Sequence, residues 1–180
     1  DRHIYYPPVQ FKFTKQDVPF KSKDGVDLLA WYFPAETKIC KGTIVQFHGN
    51  GENISSHYMA LVWLVRHGYG LFTFDYRSYG GSKGEPDQAN VNDDSLTALS
   101  LAYKFHEQNG CGKFIVYGQS LGGVIAMRAL ADWEMREKVK LIVMDSTFMS
   151  YKQAARQALS KHWLTWIFQP LGWLLVSDQY

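Results

Sequence analysis

The run Gly118-Gln119-Ser120-Leu121-Gly122 follows four apolar residues, Phe114-Ile115-Val116-Tyr117, and precedes a helix-like stretch. A serine with a glycine two positions to either side, between a strand and a helix, describes a sharp turn with the serine at its tip. Side chains at the flanking positions would strike neighbouring backbone, and the serine itself is held in a strained conformation. Its hydroxyl then projects over the sheet, and Ser120 is the expected nucleophile. Because Ser120 also begins a helix, the N–H of Leu121 and the positive end of the helix dipole point at the place where an oxyanion would form.

A second glycine turn lies upstream, in Thr43-Ile44-Val45-Gln46-Phe47-His48-Gly49-Asn50-Gly51. It too ends an apolar strand and precedes a helix, expected at about 54–66. The loop after such a strand supplies the second oxyanion donor; the backbone N–H of Asn50 is the first choice for it and that of Gly51 the second. His48 is read as a brace for this loop rather than as a base, since it precedes the nucleophile in the chain.

His48-Gly49-Asn50-Gly51-Glu52-Asn53, then Phe74-Asp75-Tyr76-Arg77-Ser78-Tyr79-Gly80-Gly81-Ser82-Lys83-Gly84, then the Ser120 turn resemble the α/β-hydrolase superfamily in residues, order and spacing. Within it the chain is similar to the esterase and lipase-like branch with a His-Gly-Asn loop, whose members include lysophospholipases, monoacylglycerol lipases and protein depalmitoylases. The resemblance runs from about Asp17 to the last residue. It departs at Ser78, where the family's Asp-Tyr-Arg-Gly-Tyr-Gly has glycine. It implies hydrolysis of a small acyl ester or lipid-like substrate, and association with a membrane surface.

With 180 residues, 46% of them hydrophobic and 20% charged, the chain is long and apolar enough for one domain spanning 1–180. A net charge of +2 without a Lys/Arg block gives no support for nucleic-acid binding. No apolar run reaches the roughly 18 residues of a membrane span. The chain opens at Asp1 without a signal-like leader, so an export or anchoring segment is expected to have been removed or never present.

Periodicity predicts an N-terminal antiparallel hairpin, 17–22 with 26–33, around Lys23-Asp24-Gly25. Short apolar strands follow at 43–47, 70–75, 113–117 and 139–144. Helices are expected at 54–66, 88–108, 120–132 and 148–160. This alternation predicts an α/β fold: a mainly parallel sheet flanked by helices, with ligands at the carboxyl ends of the strands.

A serine nucleophile needs a base and an acid to orient it. After Ser120 the sequence holds one histidine, His162. Asp145 followed by His162 keeps the usual chain order, but His162 lies in an aromatic stretch that suits packing, and Asp145-Ser146-Thr147 reads as a helix cap. The strands that carry acid and histidine in the family are not recognisable. The sequence therefore reads as roughly the first two-thirds of a longer hydrolase, or one completed by another polypeptide. An unpaired last strand would invite dimerisation or strand exchange. The segment 148–180, with Trp163, Trp166 and Trp173, is either a lid that meets acyl chains or packing over the sheet.

Asp75 is expected to bond turn backbone, and Asp93 and Asp94 to sit near a helix start, where the dipole favours acids. No cluster has metal-ligand spacing and no loop matches a phosphate-binding pattern, so neither metal nor cofactor is expected. Cys40 and Cys111 each lie four residues before an Ile-Val pair, in strands that the fold sets side by side. In register they are close enough to bridge, and a one-residue stagger leaves two free thiols. A bridge would favour the periplasm or the cell exterior over the cytoplasm. The expected activity is hydrolysis of carboxylic esters or thioesters through an acyl-serine. The competing class is a non-catalytic scaffold that binds a lipid or protein partner.

Overall fold

A computed structural model describes residues 2–147. Six strands form one sheet in the order β1-β2-β4-β3-β5-β6. The strands are β1 Gln16–Lys21, β2 Asp27–Phe33, β3 Gly42–Phe47, β4 Tyr69–Phe74, β5 Lys113–Gln119 and β6 Val139–Asp145. β1 pairs antiparallel with β2, turning through Gly25 at φ 86°, a left-handed value suited to glycine. β2 pairs antiparallel with β4, while β4, β3, β5 and β6 run parallel. The predicted hairpin and parallel strands are all present.

Alternation along the central strands divides the core in two. Val45, Phe47, Phe72, Phe74, Phe114 and Val116 face one way, against helix α2 (Gln88–Gln108) and helix α3 (Leu121–Asp132). Ile44, Leu71 and Ile115 face the other way, against Ile54, Tyr58, Val62 and Val65. Buried on both faces, β3 and β4 are mostly apolar along their length, with Thr43, Gln46 and Thr73 buried among the apolar side chains.

The predicted helix at 54–66 is broken. It consists of one α turn, α1 (Ile54–His57), and two 3-10 turns, Tyr58–Ala60 and Val62–His67. Asn53 caps the α turn, its Oδ1 accepting from Ser55 N–H at 2.9 Å, and from Tyr58 onward the bonding tightens to three-residue steps, Leu61 N–H donating to Tyr58 O at 3.1 Å and Leu64 N–H to Leu61 O at 2.9 Å. Leu61 then leaves helical geometry at φ −125°, and Gly68 closes the segment at φ 94°. The helix expected at 148–160, the lid at 148–180 and His162 lie outside the described residues.

β3 and β5 are neighbours in the register Gly42↔Lys113, and Cys40 and Cys111 precede these partners by two residues each. The open question of their pairing resolves as a disulfide with a Cα–Cα distance of 4.6 Å. It staples the amino ends of the two strands, opposite the end that carries Ser120.

Candidate active site

Ser120 leaves β5 with φ 51° and ψ −119° and is the N-cap of α3 without using its side chain to cap it. L-residues rarely adopt such a backbone. Both motif glycines answer to close backbone. A Cβ on Gly118 would lie 2.6 Å from Gly123 Cα, and one on Gly122 would overlap the carbonyl oxygens of Phe47 and His48. The elbow can therefore press directly on the end of β3. Ser120 N–H donates to Asp145 O at 2.9 Å, and Ser120 O accepts from Gly123 N–H at 3.1 Å and from Thr147 Oγ1 at 2.6 Å.

The structure brings the predicted oxyanion loop to this elbow. A Cβ on Gly49 would be 3.6 Å from Ser120 Cβ, so Asn50 follows directly on the contact. Leu121, the other predicted donor, is the first residue of α3. Asn50 is exposed, and its Oδ1 accepts from Tyr79 Oη at 2.6 Å.

His48 is fully buried, with Nδ1 2.8 Å from Gly49 O and its ring against His57, Tyr76 and Tyr79. Burial first, and repulsion from His57 second, lower its pKa to about 3. It is neutral at ordinary pH, so its 3.6 Å approach to Asp75 Oδ1 is a polar contact and not an ion pair. Tyr76 Oη donates to His48 O at 3.1 Å and ties the loop to the next one.

Asp75 accepts from Ile54 N–H at 2.9 Å and Gly81 N–H at 3.4 Å, the turn-bonding role expected of it. Burial raises its pKa to about 6. Ser78, in the family's glycine place, takes φ 72° and so keeps the left-handed turn at some strain.

Asp94 lies near the start of α2 as expected but beyond its first turn, and its role is not to answer the dipole: it is wholly buried and takes the Arg77 guanidinium bidentately, Nη2 to Oδ1 at 2.6 Å and Nε to Oδ2 at 2.8 Å. Asp24 adds a third contact at 3.0 Å, from Arg77 Nη1, and these carboxylates raise the Arg77 pKa. Arg77 thus pins the loop after β4 to α2 and to the hairpin. Charge patterning alone could not show this, because a burial signal comes only from the third dimension.

Asp145 ends β6 and accepts from Tyr117 Oη at 2.6 Å and Ser146 Oγ at 2.9 Å. The Tyr117 bond holds its carboxyl below the usual range. Its predicted companion His162, and any helix it would cap, lie outside the described residues. Among the described residues no group of three His, Cys, Asp or Glu side chains could hold a metal ion. No helix among them is long and apolar enough to cross a membrane.

Residues 38–179 match a family model described as serine aminopeptidase, S33. The uncharacterized protein YfhR of Escherichia coli is 33% identical over 162 residues, covering 88% of this chain and 55% of the relative. The chain thus spans about half the length of the curated relatives it matches. The Pyrococcus furiosus esterase Pf2001 superposes with a TM-score of 0.71 at 24% identity, over 97% of this chain and 67% of that one. A soluble variant of monoglyceride lipase from Saccharomyces cerevisiae gives a TM-score of 0.64 at 22% identity, over 83% and 52%. At these identities the two structures share the fold.

Proposed function

This chain belongs to the α/β-hydrolase superfamily, in the family described as serine aminopeptidase, S33, and on that premise we propose that it hydrolyses carboxylic esters or thioesters through an acyl-serine at Ser120. The observation that carries the proposal is the Ser120 backbone at φ 51°, at the head of α3, with both flanking glycines in close contact with other backbone. Such strain is kept where the surroundings enforce it, and here it frees the hydroxyl from helix capping.

In this reading Ser120 Oγ attacks the acyl carbonyl and its proton passes to a base. The negative charge that develops on the carbonyl oxygen is met by the N–H groups of Leu121 and Asn50, fixed before the reaction begins. Collapse expels the alcohol or thiol, which takes up the proton, and water then releases the acid. His48 is not the base, because burial and its bond to Gly49 commit it to the loop. The base and its orienting acid are either His162 with Asp145 or residues of segments that the longer relatives possess in addition. The esterase and monoglyceride lipase named for the two similar folds support an acyl ester as the substrate class.

Hydrolysis of p-nitrophenyl acyl esters and acyl thioesters of increasing chain length, by the protein and by Ser120→Ala, tests the proposal. The expected result is turnover that the substitution lowers by about a thousandfold or more. Turnover that survives Ser120→Ala overturns it.

A further inference from the structure

We infer that Thr147 is a positioning residue for the nucleophile, its hydroxyl locking the Ser120 backbone, and that Gly123 is glycine because it leaves Thr147 room to do so. The inference rests on the reading of Ser120 as nucleophile and deepens it.

Two dihedrals place the Ser120 side chain, and they set the angle between the peptide planes on either side of that residue. One plane carries the Ser120 N–H, which donates to Asp145 O at 2.9 Å. The other carries the Ser120 carbonyl, which accepts the Thr147 hydroxyl at 2.6 Å and, from within its own turn, the Gly123 N–H at the longer 3.1 Å, so that Thr147 is the one grip on this plane from outside the elbow. Both partners belong to one three-residue segment at the end of β6. A segment that grips both planes fixes φ and ψ together, which a single bond to either plane cannot do. An L-residue at φ 51° and ψ −119° stays there only when its surroundings over-determine it.

The segment is itself anchored. Tyr117, three residues before Ser120 on β5, donates its hydroxyl to Asp145 Oδ2 at 2.6 Å. Ser146 takes φ 51°, a second left-handed residue, between the two that grip Ser120. Thr147 packs where a side chain on Gly123 would be: a Cβ there would overlap Thr147 Oγ1 and Cβ and come within 3.1 Å of Cγ2. Gly123 lies one position past the glycine pattern that marks the elbow, and the turn itself does not account for it. Contact with Thr147 does.

The backbone partner, Asp145 O, could come from any residue at that place. The hydroxyl could not, so residue 147 carries the test. Thr147→Val keeps the shape and removes the donor, Thr147→Ala removes both, and Thr147→Ser keeps the donor. Each is made in the full chain and read in two ways, by the second-order rate of fluorophosphonate labelling and by the Ser120 Cα shift and H–N–Cα–H coupling in NMR, with Ser120→Ala as control. Loss of the donor is expected to slow labelling roughly tenfold to a hundredfold. It is also expected to move the Ser120 signals away from positive φ, and Thr147→Ser is expected to restore both readouts to near the parent values. Ser120 signals unchanged in Thr147→Val and Thr147→Ala overturn the inference, whether or not the protein labels. Labelling that persists in Ser120→Ala overturns instead the reading of Ser120 as nucleophile. A Thr147→Ser variant that behaves like Thr147→Ala also overturns the inference, since it would assign the effect to packing and not to the hydroxyl.

Discussion

Replacing both bridging cysteines, Cys40→Ser with Cys111→Ser, removes a cross-link spanning 71 residues of sequence. The closed loop contains β3, α1, β4 and α2. Chain-entropy arithmetic for a loop of this length gives about 4 kcal/mol of stabilisation at 25 °C, acting on the unfolded chain. The native ends stay together without the bond, because Gly112 N–H donates to Cys40 O at 3.1 Å and Lys113 N–H to Lys41 O at 3.0 Å. The loss should therefore appear in the unfolded state alone. Urea titration should show stability down by about 4 kcal/mol, with a larger m-value as the released chain exposes more surface. The melting temperature should fall by roughly 8–16 °C. Reductant should reproduce the shift in the parent and leave the variant unchanged. Because the bridge lies at the end of the sheet opposite Ser120, labelling of Ser120 at low denaturant should not change. A loss below about 1 kcal/mol, or a parent insensitive to reductant, would mean that the cross-link does not restrict the unfolded chain in this way.

Other perturbations follow from the same contacts. Asp94→Ala strands the Arg77 charge in the interior and should cost about 3–5 kcal/mol by urea titration; a loss under about 1 kcal/mol would show that Asp24 and Ser22, whose Oγ accepts from Arg77 Nη2 at 3.2 Å, suffice for Arg77. Burial raises Asp75 from 3.8 to about 6, so the folded state binds its proton more tightly than the unfolded chain. The stability from this group is present below about pH 4 and is lost as pH rises through about 6, roughly 3 kcal/mol in all. Asp75→Asn should abolish that slope, and an unaltered slope in the variant would assign it elsewhere. Gly122→Ala drives a methyl into the Phe47 and His48 carbonyls and should cost about 1–3 kcal/mol while separating the elbow from the Asn50 loop. Unchanged Ser120 labelling in a folded Gly122→Ala protein would count against that coupling.

What the sequence made legible was what depends on neighbours in sequence or on repeated pattern. The strands at 43–47 and 113–117 could be read because a strand buried on both faces must be an apolar run. Matching the Ile-Val pairs of those runs also brought Cys40 and Cys111 side by side, and only the stagger stayed open, which the register Gly42↔Lys113 closes. The glycines around Ser120 were legible because close backbone contact leaves no other residue type. Contacts across long sequence separations were not legible. Asp94 read only as an acid near a helix start and Arg77 only as part of a loop motif, and their pairing becomes visible when the loop after β4 is laid on α2. Asp145-Ser146-Thr147 read as a helix cap, since nothing local tells that its backbone and hydroxyl reach 25 and 27 residues back to Ser120. The break after His57 has no local signal, since α and 3-10 turns show nearly the same apolar spacing over so short a stretch.

An activated Ser120 is what the proposed chemistry depends on. Intact mass after incubation with a fluorophosphonate, for the protein and for Ser120→Ala side by side, tests it most directly. A single phosphonyl adduct on the protein and none on Ser120→Ala is the predicted result. An adduct on both, or on neither, would contradict it.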